Sequence, residues 1–295
     1  MVKPIVREHL YGYTQLLPWI ITFAVFWLYP LAYALYLSFT QYSTLSNTAT
    51  WIGFDNYVAV FHDTLFWKAL TNTTIFTFGT VPVTTTLALL LAVLLNKKYV
   101  RFVSFFRAAY FMPTVTSLVV IALIFTNLYA KDGYVNVLFN MIGLPHPEKY
   151  GWLQEPTTAL GSIMAMDVWM SVGYYMVLFL AGLQTIPNDL YEAASLAGAS
   201  AFTQFKKITL PLLRPTILFV VVINSIKSFQ IFVEIYVMTK GGPLEGTTTT
   251  LVYEVYRNAF GSTDSMGYAS ALAYIIFAIL LALSLLQMKI LKPKV

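Results

Sequence analysis

The sequence predicts an all-α membrane protein with six transmembrane helices and with both termini in the cytoplasm. Hydrophobic residues make up 58% of the 295 residues and charged residues only 11%, and the mean hydropathy is +0.69. Water-soluble domains are about 45–50% apolar and about 25% charged, so this composition excludes a soluble globular protein. The chain has no cysteine, which excludes a disulfide framework, a catalytic thiolate and a cysteine-ligated metal site.

Six segments are apolar over the roughly 20 residues that a helix needs to cross the hydrocarbon core of a bilayer. These segments are Leu16–Phe39, Thr71–Leu95, Phe105–Asn127, Thr158–Leu183, Thr216–Val237 and Ala269–Lys289. The loops between them are too short for an independent domain. We therefore expect residues 1–295 to form a single transmembrane domain.

The distribution of lysine and arginine over the connecting segments predicts the orientation of the chain. With the N-terminus in the cytoplasm, twelve of the 18 basic residues lie inside, five lie outside and Lys227 lies within a span. The twelve inside are Lys3, Arg7, Lys97, Lys98, Arg101, Arg107, Lys206, Lys207, Arg214, Lys289, Lys292 and Lys294. The five outside are Lys68, Lys131, Lys149, Lys240 and Arg257. The net charge of +5 is thus a topology signal, and we expect no nucleic acid as a partner.

The fifth segment carries five polar side chains among about fourteen apolar ones, namely Asn224, Lys227, Ser228, Gln230 and Glu234. Two charges at mid-membrane cost roughly 5–7 kcal/mol, which is about what the apolar residues return on insertion. At 100° per residue the five positions share an arc of about 160°, so one face of the helix is expected to meet the bundle interior or a wet cavity. The alternative is that these side chains only form hydrogen bonds that hold neighbouring helices together.

The fourth segment repeats this pattern. Asp167, Ser171 and Tyr174 follow the i, i+4, i+7 spacing that places side chains on one stripe of a helix. Asp167 and Lys227 have opposite charges in otherwise apolar helices. We therefore hypothesise that these two side chains approach each other.

The segment Ile186–Pro211 lies between the fourth and fifth spans, on the predicted cytoplasmic side. Asp189 is expected to cap a helix, with Glu192 three residues later completing a capping box. The alanine-rich run that follows favours this helix, and Gly198 interrupts it.

A second short helix is expected from Ala201 to Thr209, and Pro211 is expected to begin the next span. Its apolar stripe is formed by Phe202, Phe205 and Ile208. Two short helices of this kind either occupy a groove on a cytoplasmic partner or rest on lipid headgroups, and the pattern leaves both open.

The segment Ile186–Pro211 also contains a specific motif: Glu192-Ala193-Ala194, Gly198 after three further residues, and then Ile208 and Leu210-Pro211 after nine more. This pattern resembles the E-A-A-x3-G-x9-I-x-L-P signature of permease subunits of bacterial binding-protein-dependent ABC importers. Four other stretches are similar to the carbohydrate-uptake branch of that family, of the maltose or multiple-sugar type. They are IGFDNYVAVF at 52–61, NTTIFT at 72–77, FFRAAYFMPTVTS at 105–117, and SFQIF at 228–232 with GGP at 241–243.

The resemblance implies a type I ABC importer permease bundle that crosses the bacterial cytoplasmic (inner) membrane several times. It implies that the chain works with a second homologous permease, two ATPase subunits and an extracytoplasmic sugar-binding protein. It also implies that ATP and magnesium are bound by the ATPase subunits, and that this chain binds no cofactor itself.

In the family, the segment that corresponds to Ile186–Pro211 couples the ATPase to the transmembrane helices, and we therefore call Ile186–Pro211 the coupling loop. The corresponding residues here are Asp189, Glu192, Ala193, Ala194, Gly198, Phe205 and Pro211. The family's solute site falls on the fourth and fifth spans, at positions that match Asp167, Met170, Ser171, Tyr174, Asn224, Ser228 and Ile231, and we add Lys227 and Gln230 to this set. A sugar would be held by hydrogen bonds from the polar members and by stacking on Tyr174. The charges of Asp167 and Lys227 leave a charged sugar or a polyol phosphate as an alternative solute.

The sequence predicts no catalytic and no metal site. It contains neither G-x-x-x-x-G-K-[ST] nor H-E-x-x-H, and its three histidines, His9, His62 and His146, lie far apart and outside the spans. We therefore expect the chain not to be an enzyme. Two rival classes remain: an ion-coupled secondary transporter that uses Asp167, Lys227 and Glu234 as a charge relay, and a membrane-embedded enzyme, for which the spans offer no histidine.

Overall fold

The computed structural model describes residues 4–43, 48–97, 100–147, 149–244, 246–261 and 265–291, and within these ranges the chain is mostly helical. The α-helices are α1 Pro4–Phe23, α2 Tyr29–Ser38, α3 Asp55–His62, α4 Thr64–Leu95, α5 Val103–Val115, α6 Leu118–Leu128, α7 Tyr134–Met141, α8 Ala159–Gln184, α9 Asn188–Leu196, α10 Ala201–Gln204, α11 Leu210–Leu212, α12 Arg214–Phe229, α13 Val233–Met238, α14 Leu251–Phe260 and α15 Met266–Leu291. Two π-helical segments, Ala24–Leu28 and Phe205–Thr209, join neighbouring α-helices. Strands β1 Thr40–Ser43 and β2 Thr48–Trp51 pair as an antiparallel hairpin.

Five helical segments of the described residues are long and apolar enough to cross a membrane. They are Tyr13–Ser38, Thr64–Leu95, Ala159–Gln184, Arg214–Met238 and Met266–Leu291. These segments overlap five of the six predicted spans, so the prediction of a multi-pass all-α membrane protein is confirmed. The orientation stays a prediction, and four residues of its charge count, Lys3, Lys98, Lys292 and Lys294, lie outside the described residues.

The third predicted span is the one that differs from a simple helix. It consists of α5 and α6, whose axes meet at a bend of 94°. The bend falls at Thr116 and Ser117, whose extended backbones (ψ 149° and 124°) end one helix before the next begins. Pro113, which has no N–H to donate to the preceding turn, weakens the last turn of α5. The predicted span from Phe105 to Asn127 is therefore a bent pair of helices, which together are long and apolar enough to cross a membrane.

The backbone groups into two compact units, of which the first contains the described residues of Met1–Asp63 and Val255–Ile275. In this unit the Asn56 amide nitrogen donates to the carbonyl oxygens of Ser38 and Thr40, each over 2.9 Å. These bonds hold α3 against the end of α2 and the start of the hairpin. Tyr268 in turn donates its hydroxyl to Asp63 over 2.7 Å. The single domain expected from the sequence stays a prediction.

The second unit contains Thr64–Glu254 and the described part of Ile276–Val295, and its core is built on α4 and α8. Alanines on α4, Ala88 and Ala92, are fully buried against large side chains of α8. Small residues at such a crossing let two backbones approach closely, which is the usual basis of helix packing in membranes. The core side chains that α8 contributes include Tyr175, Met176 and Phe179.

The helices α8 and α5 approach each other closely at Gly173 on α8, which can be tested by substitution. A Cβ atom at Gly173 would lie 1.8 Å from the carbonyl oxygen of Tyr110 on α5, so the helices must separate. We expect Gly173→Ala to destabilise the purified protein by about 1–3 kcal/mol, as overpacking does. Gly161→Ala on the same helix is the matched control, since a Cβ there meets nothing within 4 Å. Thermal unfolding of both variants in detergent checks this, and equal midpoints would contradict it.

Candidate functional site

An ion pair joins the fourth and fifth spans at the place that the sequence predicts. The Lys227 ammonium lies 3.3 Å from Asp167 Oδ1 and donates a hydrogen bond of 2.6 Å to Ser171 Oγ. The Ser171 hydroxyl donates to the same carboxylate oxygen over 3.3 Å. The predicted approach of Asp167 and Lys227 is thus confirmed, and Ser171 completes the cluster. The Asp167 side chain is only 4% exposed whereas that of Lys227 is 44% exposed, so the ammonium is the charge that faces outward from the packed helices.

A second cluster of polar side chains is centred on Ser228 of α12 and includes Asn224, one turn before it on the same helix. Ser228 Oγ lies 3.3 Å from the hydroxyl of Thr80 on α4 and 3.5 Å from the Asn224 side-chain oxygen. All three residues are buried, and the amide nitrogen of Asn224 has no hydrogen-bond partner within the described part of the chain. Such a group costs roughly 1–3 kcal/mol. The sequence analysis missed Thr80, because a threonine in a helix usually bonds back to its own backbone, as Thr80 also does to Phe76.

The fifth span is interrupted between Phe229 and Val233, where the predicted helix would have been continuous. Gln230, the residue after α12, is exposed, while Glu234 on the short helix α13 is buried. The predicted arc of 160° therefore describes only the polar residues up to Ser228. The break in the helix takes Gln230 and Glu234 out of its register. Thr250 donates its hydroxyl to the carbonyl oxygen of Ile231 in this break over 3.0 Å. The bond satisfies a carbonyl that a regular helix would have satisfied internally.

The apolar and aromatic residues of the predicted site occupy different surroundings. Met170 and Ile231 are buried in one hydrophobic cluster beside Ile235 on α13. Tyr174 is 38% exposed, and its ring meets that of Tyr175 edge-on at 5.2 Å. Thus the structure brings Asp167, Ser171 and Lys227 together and Asn224 and Ser228 together, whereas Gln230 and Tyr174 make no polar side-chain contact with either pair among the described hydrogen bonds.

The loop after α13 is fixed to α4 by side-chain hydrogen bonds. The amide nitrogen of Asn72 donates to the carbonyl oxygens of Gly246 and Thr249 over 2.8 and 2.9 Å, and the Leu251 N–H donates to Thr73 Oγ1 over 3.1 Å. Asn72 belongs to the stretch at 72–77 and the loop contains the GGP at 241–243. Two stretches that the sequence analysis listed separately are therefore neighbours in space.

The coupling loop folds as two short helices, α9 and α10, as predicted, but with a different start. The helix α9 begins at Asn188 after the extended residue Pro187, and no side chain caps it. Asp189 lies inside its first turn, so the predicted cap at Asp189 and its capping box with Glu192 were wrong. An acidic residue in the first turn still stabilises the helix, through its interaction with the helix dipole. Gly198 has the positive φ of 75° that ends such a helix.

The second helix of the loop is shorter than predicted and changes its pitch. Ser200 caps α10 by accepting a hydrogen bond from the Thr203 N–H, and Phe205–Thr209 is π-helical. The wider π-helical turn leaves Phe202 72% exposed while Ile208 packs on the core. Pro211 lies in the short helix α11, and the fifth span begins at Arg214 rather than at Pro211. The predicted single stripe of Phe202, Phe205 and Ile208 is therefore divided.

The signature residues lie on the outer surface of this loop. Glu192 and Ala193 are exposed, and Ala194 and Phe205 are half-buried. Leu196, at the end of α9, is 91% exposed. A protrusion with bare leucine and phenylalanine side chains between polar residues is typical of a surface that contacts another protein.

Residues 84–295 match the family described as the binding-protein-dependent transport system inner membrane component. The chain belongs to this family and is a permease subunit.

Similar proteins of known type cover almost the whole chain. The probable ABC transporter permease protein YurN of Bacillus subtilis is 39% identical over 274 residues, which is 92% of this chain and 93% of YurN. The lactose transport system permease protein LacF of Rhizobium radiobacter is 36% identical over 278 residues, which is 94% of this chain and 92% of LacF. Among solved structures, a chain of a bacterial ABC transporter involved in the import of the acidic polysaccharide alginate has the same fold, with a TM-score of 0.82 at 24% identity over 97% of this chain and 96% of that chain.

Proposed function

We propose that this permease carries a carbohydrate, a mono- or oligosaccharide, across the bacterial cytoplasmic membrane by ATP-driven alternating access. The observation that carries the proposal is the exposed coupling loop, which connects the two spans that the Asp167–Lys227 pair joins and leads directly into the span that holds the Asn224–Ser228 pair. Relatives named for lactose, arabinooligosaccharides and diacetylchitobiose support the solute class.

The proposal includes four kinds of partner. They are a second homologous permease, two ATPase subunits that bind ATP and magnesium, an extracytoplasmic sugar-binding protein, and the membrane lipid around the bundle. The second permease would complete the solute site, because a single chain exposes Lys227 at one side of its helices. The ATPases would contact Asp189, Glu192, Ala193, Ala194, Gly198 and Phe205, with Pro211 at the junction with the fifth span.

The solute would be bound by the polar residues of the fourth and fifth spans. Ser171, Asn224 and Ser228 would exchange their present mutual hydrogen bonds for bonds to sugar hydroxyls, and Gln230 and Tyr174 are already exposed. Met170 and Ile231 would line the site as apolar neighbours. Because a ligand shifts a conformational equilibrium only by its differential affinity, ATP and the loaded binding protein must both bind the outward-facing state more tightly.

A charged sugar or polyol phosphate is the second candidate solute. It is favoured by the exposure of the Lys227 ammonium beside a buried Asp167. A relative named for sulfoquinovosyl glycerol, from Agrobacterium fabrum, is 35% identical over 97% of this chain. The solute panel below therefore contains both neutral and acidic compounds.

The test is purification of the tagged chain from native membranes, followed by reconstitution in proteoliposomes. We expect a second permease and an ATPase to copurify with it. We expect uptake of radiolabelled lactose, arabinotriose, diacetylchitobiose or an oligouronate to require both ATP and the binding protein. Uptake by the chain alone, driven by an ion gradient, would contradict the proposal and favour the secondary transporter. An ATP-dependent uptake of only the oligouronate would favour the charged solute.

A further inference from the structure

Two pairs of side chains join the first helix of the coupling loop to the second. The Tyr191 hydroxyl lies 2.9 Å from Thr209 Oγ1. The amide nitrogen of Gln204 donates to Ser195 Oγ over 2.9 Å and to the Ala199 carbonyl oxygen over 3.2 Å. The Ser195 hydroxyl donates to the Tyr191 carbonyl oxygen over 2.8 Å, so its oxygen is left to accept from Gln204. We call Tyr191, Ser195, Gln204 and Thr209 the inter-helix clamp.

The π-helical segment explains how Gln204 and Thr209, both in the second helix of the loop, can face the first helix. Gln204 and Thr209 are five positions apart, and in an α-helix their side chains would point about 140° apart. The segment Phe205–Thr209 has the wider turn of a π-helix, with hydrogen bonds from i to i+5. The two side chains therefore face the same side, where Tyr191 and Ser195, one turn apart on α9, meet them.

The second helix of the loop is also continuous with the fifth span. Helical segments follow one another from Ala201 to Leu212, and the Leu213 N–H donates to the Thr209 carbonyl oxygen over 2.9 Å. The Ile217 N–H then donates to the Leu213 carbonyl oxygen over 2.8 Å, so the hydrogen bonding continues into α12. Leu213 is almost fully buried. A displacement of the second loop helix is therefore a displacement of the span that carries Asn224 and Lys227.

Apart from the clamp, the two loop helices are connected through the backbone turn at Gly198. The Gly198 N–H donates to the Ser195 carbonyl oxygen over 3.0 Å, and a Cβ atom at Gly198 would meet nothing within 4 Å. A cavity of about 700 Å³ lies beside α9, bounded by Asn96 just after α4 and by Leu183 at the end of α8. The first helix therefore borders space into which it could turn about Gly198 if the clamp opened.

We propose that the inter-helix clamp transmits movement from Glu192 to the fifth span, and that its four members are positioning residues of the transport cycle. The inference rests on the proposed function, since it requires an ATPase that pushes α9. With the clamp closed, α9 and the extension of α12 move as one body. With the clamp open, the push turns α9 about Gly198 and the span stays where it is.

The experiment follows nucleotide-driven movement in the assembled complex, and it needs no transported solute. Because the chain has no cysteine, Ile223→Cys on α12, one turn before Lys227, gives this chain a single thiol. Its maleimide labelling rate is compared with and without ATP and vanadate, after the subunits are separated on a gel. Tyr191→Phe and Thr209→Val each remove the bond between these two side chains, Gln204→Met removes both bonds that the Gln204 amide donates, and all three nearly preserve side-chain volume. We expect each to keep copurification and ATP hydrolysis but to reduce the nucleotide-driven change in labelling about two- to tenfold, as the loss of a hydrogen bond would.

Two control variants separate this role from simple folding. Thr209→Ser keeps the hydroxyl and should keep the full change in labelling. Tyr110→Phe removes an exposed phenol on α5 and should change neither reading. A full labelling change in the three clamp variants, or a loss in Thr209→Ser equal to that in Thr209→Val, would overturn the clamp alone. If the parent complex hydrolyses no ATP, the proposed function and the clamp both fall.

Discussion

Replacing Gly198 by tryptophan should reduce ATP-driven uptake about 100-fold, which corresponds to a coupling free energy of about 3 kcal/mol. Membrane insertion should stay intact, because the coupling loop is outside the spans. A Cβ atom at Gly198 meets nothing within 4 Å in this chain, so the bulky side chain has room until a partner subunit docks. The measurement is uptake in proteoliposomes, together with the amount of ATPase that copurifies.

Two further variants divide this effect into backbone and steric parts. Gly198 has φ of 75°, a conformation that costs most residues roughly 1–2 kcal/mol but that asparagine adopts more readily. We therefore expect Gly198→Asn to retain more uptake than Gly198→Trp. Gly143→Trp is the matched control, since Gly143 also has a positive φ of 69° and open space around a Cβ, but lies in the loop after α7. Normal uptake in Gly198→Trp, or an equal loss in Gly143→Trp, would contradict the coupling role of the loop.

The sequence predicts the elements of this fold whose cause is local. Hydropathy over about 20 residues located five of the spans, because burial in lipid depends on the composition of each segment by itself. The two-helix form of the coupling loop follows from alanine content and from Gly198, which are also local. Even the ion pair was predictable, since a lysine and an aspartate in two apolar helices have few alternatives to pairing.

The features that the sequence did not predict depend on contacts between elements. Pro113 in the run from Phe105 to Asn127 is a residue that bends helices, but neither it nor the apolar composition of the run sets the angle of 94°. The break after Phe229 is satisfied by Thr250, which is 19 positions away from Ile231 and outside any helical pattern. The sequence analysis missed Thr80 for the same reason, because its hydroxyl contacts Ser228, which is 148 positions further along the chain. The periodicity of a sequence describes one helix at a time and does not predict contacts between residues of different elements.

Asp167→Asn alone should destabilise the assembled protein by about 1–3 kcal/mol, less than the roughly 3–5 kcal/mol typical of breaking a fully buried pair. The reason for the smaller value is that the Lys227 side chain is 44% exposed, so part of its charge remains solvated when its partner is lost. Ser171 still accepts a hydrogen bond from the ammonium, which limits the loss further. The change is measured by thermal unfolding in detergent, monitored as the fraction of the protein that remains monodisperse.

The double variant Asp167→Asn with Lys227→Met should be more stable than Asp167→Asn alone, because it removes the unpaired ammonium from an apolar span. Lys227→Met alone leaves a carboxylate that is 4% exposed and should be the most damaging of the three. The three variants form a double-mutant cycle, in which we expect a coupling free energy of about 1 kcal/mol or more. If the two single effects simply add, the 3.3 Å contact does not stabilise the protein, and Asp167 and Lys227 must be explained separately.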